Sequence, residues 1–183
     1  MSKTQDILEE IHARLCPECD RIEKMPNGLA FLLSLRPESH RRKVFGTVTL
    51  DTYIPDSNVS VQLLSVEFIV FRNLSSPLPE ETCTRLHELS GMALFGTLRV
   101  NQRGQLCYRY TCMVNDYSPS QAAELFAFIC YEMLLFLHIH YDYLLICTTT
   151  PERLTTEEYL QYLASAAEPE QQEATERKEE AHA

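Results

Sequence analysis

The side chains with the clearest chemical potential are two cysteines separated by two residues, Cys16 and Cys19. Two thiolates at this spacing can bind one tetrahedral metal ion or form a disulfide with each other, and His12 lies four residues upstream. A structural zinc site needs four ligands, but the sequence has neither a second Cys-x-x-Cys nor a His-x3-His. We therefore predict no metal and no cofactor, and keep a metal-dependent or redox site at His12, Cys16 and Cys19 as the alternative.

Three more titratable side chains, Glu132, His138 and His140, lie in a long apolar segment near the C-terminus. Two histidines that are two positions apart on a helix point to different faces, so they do not converge on one ion. Glu132 has no paired base or nucleophile in its surroundings, and the sequence contains neither a Gly-x-Ser-x-Gly elbow nor a Gly-rich phosphate loop. The sequence therefore predicts that the protein is not an enzyme.

Composition limits the ligands that the protein can bind. The chain of 183 residues carries a formal charge of −10, whereas nucleic acids are bound mainly by clustered lysines and arginines. The one short basic cluster, residues 40–43, is typical of a loop between strands. Seven scattered cysteines and a polar N-terminus are typical of a reduced, cytoplasmic protein. We expect no nucleic-acid partner, one α+β domain over residues 1–163 and a disordered acidic tail over 164–183.

The apolar segment from Ala122 to Cys147 is long enough to raise the question of a membrane helix. Glu124, Glu132 and Asp142 interrupt it, and carboxylates are costly in hydrocarbon, so we predict a buried helix and no membrane span. The helical period places one apolar stripe on Leu125, Phe128, Ile129, Phe136, Ile139 and Tyr143. Further apolar residues widen this stripe beyond what one sheet face needs, which indicates a second helix or a homodimer partner.

The remaining pattern predicts the elements that position these residues. A helix over Thr4 to Leu15 precedes strands that we expect near Leu29 to Leu35, Val44 to Tyr53 and Val61 to Phe71. The last strand is apolar on both faces, which is typical of a central strand. A helix over Pro79 to Ala93, with Cys83, Leu86, Leu89 and Met92 facing inward, leads to a hairpin around residues 102–105. Ser118 and Pro119 then open the long helix, and Thr155 with Glu158 caps a short last helix. This order predicts an α+β fold: a twisted, mainly antiparallel sheet of about five strands with helices packed on one face.

Three segments carry a resemblance to a known family: Val66 to Phe71, Leu98 to Tyr110, and the Tyr117 to Ser120 entry into the long helix. With the order of elements, they resemble the type III secretion chaperone-like superfamily, which includes the YbjN-like group of bacterial sensory transduction regulators. The resemblance covers about Thr4 to Ile146. It implies a twisted antiparallel sheet with helices on one side, frequent dimers, and binding of proteins without turnover of a substrate.

The resemblance, the acidity and the surplus apolar surface together predict a non-catalytic module that binds a protein or peptide. Such a module would act as a chaperone-like or regulatory adaptor and as a homodimer. We expect its partner-binding surface on the sheet, at Phe31, Leu33, Val66, Phe68, Tyr108 and Tyr110. The two tyrosines could also stack bases, but the acidic charge favours cross-strand packing. A small-molecule sensor with its ligand between the sheet and the long helix is a further alternative.

Overall fold

The computed structural model describes residues 3–35, 43–54, 60–74, 78–149 and 155–161. The elements are α1 (Lys3–Leu15), β1 (Arg21–Met25), β2 (Gly28–Ser34), β3 (Lys43–Tyr53), β4 (Val61–Phe71), α2 (Glu80–Met92), β5 (Thr97–Val100), β6 (Leu106–Met113) and α3 (Pro119–Thr149). A short helix, α4, follows at 156–161. The predicted α+β class is confirmed. Most of the basic cluster at 40–43, the turn at 55–58 and the acidic tail lie outside the described residues.

The six strands form one sheet in the order β1-β2-β3-β4-β6-β5, and every neighbouring pair is antiparallel. This is one strand more than predicted. The additional strand is β1, in which three of the five side chains are charged, so that its sequence lacks the apolar alternation of a half-buried strand. The inner position of β4, between β3 and β6, confirms the interpretation of its two-sided apolar pattern.

Alternate residues of β2, β3, β4 and β6 form the sheet side of the core, beneath α1 and α3. The Phe31 ring on β2 meets Phe68 of β4 and Phe126 of α3 edge-on, at centroid distances of 6.0 and 6.3 Å. Gly46 on the neighbouring strand leaves the space that this ring occupies, because a Cβ there would overlap it. Aromatic pairs of this geometry add about 0.5–1.5 kcal/mol to the energy of area burial.

Helix α3 begins as predicted and ends at Thr149. The Ser118 hydroxyl accepts a hydrogen bond from the Gln121 amide at 3.3 Å, and the Gln121 side chain accepts one from the Ser118 amide at 3.0 Å. The predicted inward stripe is wrong at two positions, because Phe128 and Ile139 are exposed. The helix is apolar on nearly all sides, so its sequence does not determine which side faces the sheet.

Helices α2 and α4 close the end of the core. Contrary to the prediction, Cys83 and Met92 of α2 are exposed. Thr82 and Arg85 are buried instead, and the Arg85 guanidinium pairs with Glu81 one turn earlier. Burial of these polar groups is tolerated because they have hydrogen-bond partners inside the protein. The Thr82 hydroxyl, for example, donates a hydrogen bond to the Cys147 carbonyl at 3.1 Å.

The start of α4 confirms the predicted capping box. The Glu158 carboxylate accepts hydrogen bonds from the Thr155 amide and hydroxyl, each at 2.8 Å, and the Glu158 amide donates to the same hydroxyl at 3.2 Å. These bonds lower the pKa of the Glu158 carboxyl group. Tyr159 is the buried residue of α4, and its ring stacks on Tyr143 of α3 at 4.0 Å. The sequence places Leu160 and Leu163 three residues apart in this helix and predicts that it packs on the edge of the core, but Leu160 is exposed, and Leu163 lies outside the described residues.

Candidate peptide-binding groove

A groove of about 440 Å³ runs between α2 and β5, the strand at one edge of the sheet. Its walls come from the start of α2, from β5 and from the turn that follows β5. The lining residues are Leu78, Cys83, Leu86, His87, Leu98, Arg99, Val100, Asn101 and Gln102. The groove therefore combines apolar side chains with a strand edge.

One wall is the side of α2 that faces β5. Cys83, Leu86 and His87 are three and four positions apart, so they lie on one side of the helix. Leu86 is buried, whereas Cys83 and His87 are exposed at the rim. The helix thus offers an apolar base with small and polar groups at its opening.

The other wall is the outer edge of β5. The Leu98 amide points away from β6, because it donates to the Ser90 hydroxyl on α2 at 2.9 Å. Ser90 also donates to the Leu86 carbonyl at 2.8 Å, which fixes its rotamer. In an antiparallel strand the main-chain groups alternate in direction, so the amide and carbonyl of Val100 point outward on the same side as the Leu98 amide. The Ser90 contact closes one end of the groove. Farther along, the Val100 amide and carbonyl point outward and are not paired with a neighbouring strand.

The turn between β5 and β6 holds this edge in place. The Asn101 side-chain oxygen accepts hydrogen bonds from the amides of Arg103 and Gln105, at 2.9 and 3.1 Å. Gly104 in the same turn adopts a positive φ of 65°, a conformation that favours glycine. Arg99 of β5 is fixed on the opposite side of the sheet by an ion pair with Glu67 at 3.1 Å. The end of β5 is therefore a rigid, short strand with an accessible edge.

A second groove of about 350 Å³ lies between α1 and the β1–β2 hairpin. Its lining has four apolar residues, Leu8, Met25, Pro26 and Leu29, but Glu9 and Lys24 place two charges in it, and three of the five residues of its edge strand β1 are charged. Charged residues at a sheet edge disfavour pairing with another strand. The β5 groove is therefore the better site for an extended polypeptide.

The six side chains predicted to bind a partner lie together on the helix-facing side of the sheet. Phe31, Leu33, Val66, Phe68 and Tyr108 are buried, and Tyr110 is half-buried in ring contact with Phe95 at 5.1 Å. The Tyr108 hydroxyl donates to the Phe95 carbonyl, and its ring packs on Phe136 of α3. In this structure they form the core, so a partner could reach the five buried ones only by displacing the helices.

The cysteine pair follows α1 in a turn. Cys16 is exposed and Cys19 is half-buried. Burial, with smaller contributions from Cys16, Asp20 and Glu18, raises the pKa of the Cys19 thiol to about 11. An activated cysteine requires a lowered pKa, so this position lacks that property. Within the described part of the chain, no three His, Cys, Asp or Glu side chains are grouped closely enough to hold a metal ion.

The histidines of α3 diverge as their spacing predicted. His140 is buried, with Nδ1 3.0 Å from the Tyr159 hydroxyl, and burial lowers its pKa. His138 lies on another side of the helix, with Nδ1 3.4 Å from the Leu35 carbonyl oxygen. Glu132 is half-buried. The structure does not bring these three side chains together into one site.

Sequence reasoning did not identify the β5 groove. Its lining includes Leu98 and Val100, which the alternating pattern of the hairpin does contain. The edge position of β5 depends on β6 pairing with β4, a contact between distant segments. Such pairing leaves no local signal in the sequence, so the accessible edge became visible only in the structure.

Among the described helices, α3 alone is long and apolar enough to cross a membrane, by length and composition. The buried core helix of a soluble protein meets the same criteria. Comparison with known proteins finds no matching family model, no matching curated protein and no matching solved structure. The resemblance to the type III secretion chaperone-like superfamily therefore stays a prediction.

Proposed function

We propose that this protein is a non-catalytic module that binds an extended segment of another polypeptide along the edge of β5. The observation that supports this function best is the outward-pointing main chain of Val100 beside the apolar base formed by Leu86 and Leu98. A strand that is added to a sheet edge gains affinity from main-chain hydrogen bonds and specificity from pockets for alternate side chains. The groove provides both elements.

The size of the groove sets the chemistry of the segment. A volume of about 440 Å³ accommodates a few side chains, so the contact would cover a short stretch. Alternate residues of that stretch would place apolar side chains on Leu78, Leu86 and Leu98, and the main chain would pair with Val100. A protein with this property would serve as a chaperone-like or regulatory adaptor.

The test is selection of short random peptides from a displayed library on the full chain, followed by binding measurements with substituted proteins. Val100→Pro removes the outward amide without removing a ladder hydrogen bond, and should weaken binding about tenfold, which corresponds to 1.4 kcal/mol. Val100→Thr keeps the amide and the side-chain branching, so it is the matched control and should retain main-chain pairing.

A second pair of variants tests the groove itself. Cys83→Trp introduces a bulky ring at the rim and should block the selected peptides, whereas Thr84→Trp, at the next exposed position of α2, should not. Methylation of the peptide amide that pairs with the Val100 carbonyl should also abolish binding. Failure to enrich any peptide, or equal binding to wild type and Val100→Pro, would contradict the proposal.

The alternatives predict different measurements. A metal-dependent protein built on His12, Cys16 and Cys19 would purify with stoichiometric zinc that Cys16→Ser removes. A small-molecule sensor would need space between the sheet and α3, where the rings of Phe31, Tyr108 and Phe136 are in contact with their neighbours. No structural observation favours either alternative over the groove.

A further inference from the structure

The outer side of α3 carries an apolar stripe that the described part of the chain leaves about half exposed, with Phe128 at one end in ring contact with Phe95 at 5.6 Å. Its positions are spaced three or four residues apart when Asp142 is counted between Ile139 and Leu145, as in the seam between two paired helices. The side chains of Phe128, Tyr131, Leu135, Ile139 and Leu145 are each between 41% and 63% exposed. Asp142 is the one exposed charged residue between positions 128 and 145 of this stripe, and the half-buried Glu132 lies at its margin.

The exposed apolar area is most of what a dimer interface needs. Five side chains that are about half exposed present on the order of 400 Å² of apolar surface, since large side chains bury about 150–250 Å² each. A standard interface buries about 800 Å² per partner, and roughly 65% of that area is apolar in homodimers. The stripe, with half-buried neighbours such as Leu134 and Ile146 at its margins, supplies most of such a contact.

We propose that a second copy of this chain covers the stripe, with the two α3 helices packed antiparallel about a two-fold axis near residues 136 and 137. The two-fold places Phe128 of each copy opposite Leu145 of the other. The two contacts formed in this way lie about 26 Å apart along the helix axis, at 1.5 Å per residue. Leu135 and Ile139 then form the centre of the contact. This interface is separate from the β5 groove and does not depend on it.

The position of Asp142 selects the antiparallel arrangement. About the same axis, Asp142 of one copy falls opposite Tyr131 of the other, so the phenol hydroxyl donates to the carboxylate, which has several acceptor positions. A parallel pair would place the two Asp142 carboxylates beside each other, where like charges repel. The charges are therefore complementary only when the helices run in opposite directions.

The first test measures the oligomeric state of the full chain by sedimentation equilibrium over a range of concentrations. We expect a monomer–dimer equilibrium that tightens with salt, because each copy carries a net charge of −10. Leu135→Glu introduces a charge at the centre of the stripe and should raise the dissociation constant about 100-fold. Met113→Glu is the control, since Met113 is an exposed apolar residue on β6, at 66% against 41% for Leu135, and the variant should leave the dimer intact.

Because Leu135 is partly exposed, the variant should fold as wild type, which circular dichroism and a urea titration of the dilute protein would verify. The second test reads the direction of the helices without depending on a loss of binding. With the exposed Cys16 and Cys83 replaced by serine and oxidised glutathione as the oxidant, Phe128→Cys mixed with Leu145→Cys should give a disulfide between positions 128 and 145, identified by mass spectrometry, and neither variant alone should link position 128 to 128 or 145 to 145.

Three outcomes would overturn the proposal. The chain could stay monomeric at all accessible concentrations, or Met113→Glu could disrupt the dimer as strongly as Leu135→Glu. Disulfides between like positions would mean that the helices are parallel. Vesicles of phosphatidylcholine and phosphatidylglycerol provide a further arm, because binding of the wild-type monomer, and not of Leu135→Glu, would show that lipid covers the stripe in place of a second copy.

Discussion

The groove beside β5 and the outer stripe of α3 both expose apolar side chains, but they differ in the main chain. All amide groups along the middle of α3 are used within the helix, so the stripe offers side chains alone. The β5 edge adds an outward amide and carbonyl at Val100. The α3 stripe therefore selects a partner by the fit of side chains, and the α3 helix of a second copy can provide this fit. The β5 edge accepts many extended sequences, because main-chain hydrogen bonds do not depend on the side chains of the partner.

The comparison depends on α3 having one packed side and one available side. Leu137 is fully buried and Leu135, two residues earlier, lies on the outer stripe. We expect Leu137→Ala to lower the free energy of unfolding by about 3 kcal/mol, because it leaves a cavity in the core. Leu135→Ala should cost less than about 0.5 kcal/mol in dilute protein, where the monomer dominates.

Urea titrations at low protein concentration would measure both values. A loss of several kcal/mol for Leu135→Ala under these conditions would mean that the monomer itself covers the outer side of α3. The stripe would then be part of the core, and its similarity to a helix-pairing seam would have no consequence for assembly.

The next prediction concerns the closed end of the groove. Ser90→Ala removes the acceptor of the Leu98 amide and leaves this amide without a protein partner, which should cost about 1–2 kcal/mol. It should also speed hydrogen exchange at Leu98. Thr84→Ala is the control, because the Thr84 hydroxyl donates to the Glu80 carbonyl one turn back and makes no hydrogen bond to β5.

If Thr84→Ala and Ser90→Ala lowered the free energy of unfolding equally, the hydrogen bond between Ser90 and the Leu98 amide would stabilise the protein no more than a hydroxyl that is bonded within its own helix. The groove would then have no fixed end. Peptides selected on wild type should also bind Ser90→Ala more weakly, since the two walls would no longer be held at one separation.

The sequence allowed prediction of the features that depend on local patterns. Alternation identified β2, β3, β4 and the β5–β6 hairpin, and cap residues located the starts of α3 and α4, since these signals arise within a few residues of each other. The charged strand β1 has no such alternation and was not predicted. The buried Arg85 was missed for a related reason, because only its partner Glu81 and the packing of α2 on α3 make burial of a guanidinium tolerable.

The candidate sites were harder to predict than the fold. Phe31, Phe68 and Tyr108 were assigned to partner binding because an apolar strand face is common to a core and to a binding surface. The structure separates these roles by placing α3 over that face. In α3 an apolar pattern on nearly all sides left the orientation undetermined, which is why Phe128 and Ile139 were placed inward. Tertiary contacts, absent from any short window of sequence, determine both assignments.

The smallest predicted effect tests the inner side of α3 through pH. His140 faces Phe136 at a ring distance of 4.4 Å and the hydroxyl of Tyr159, and burial lowers its pKa from the ordinary value of 6.5. As the pH falls through 6.5, the unfolded chain takes up the proton first, so stability should decrease until the pH reaches the lowered pKa of the folded state. The loss due to this residue should be about 1 kcal/mol or less between pH 7.5 and pH 5.5.

Urea titrations at the two pH values would measure the effect as a difference between variants. His140→Gln keeps a group that can bond to the Tyr159 hydroxyl and removes the titration, so its stability should depend less on pH than that of wild type. His87→Gln, the same substitution at an exposed position of α2, is the control for the change of side chain. An unchanged slope in His140→Gln would mean that water reaches the imidazole, and the contrast between a buried inner side and an exposed outer side of α3 would be weaker at this turn than the structure indicates.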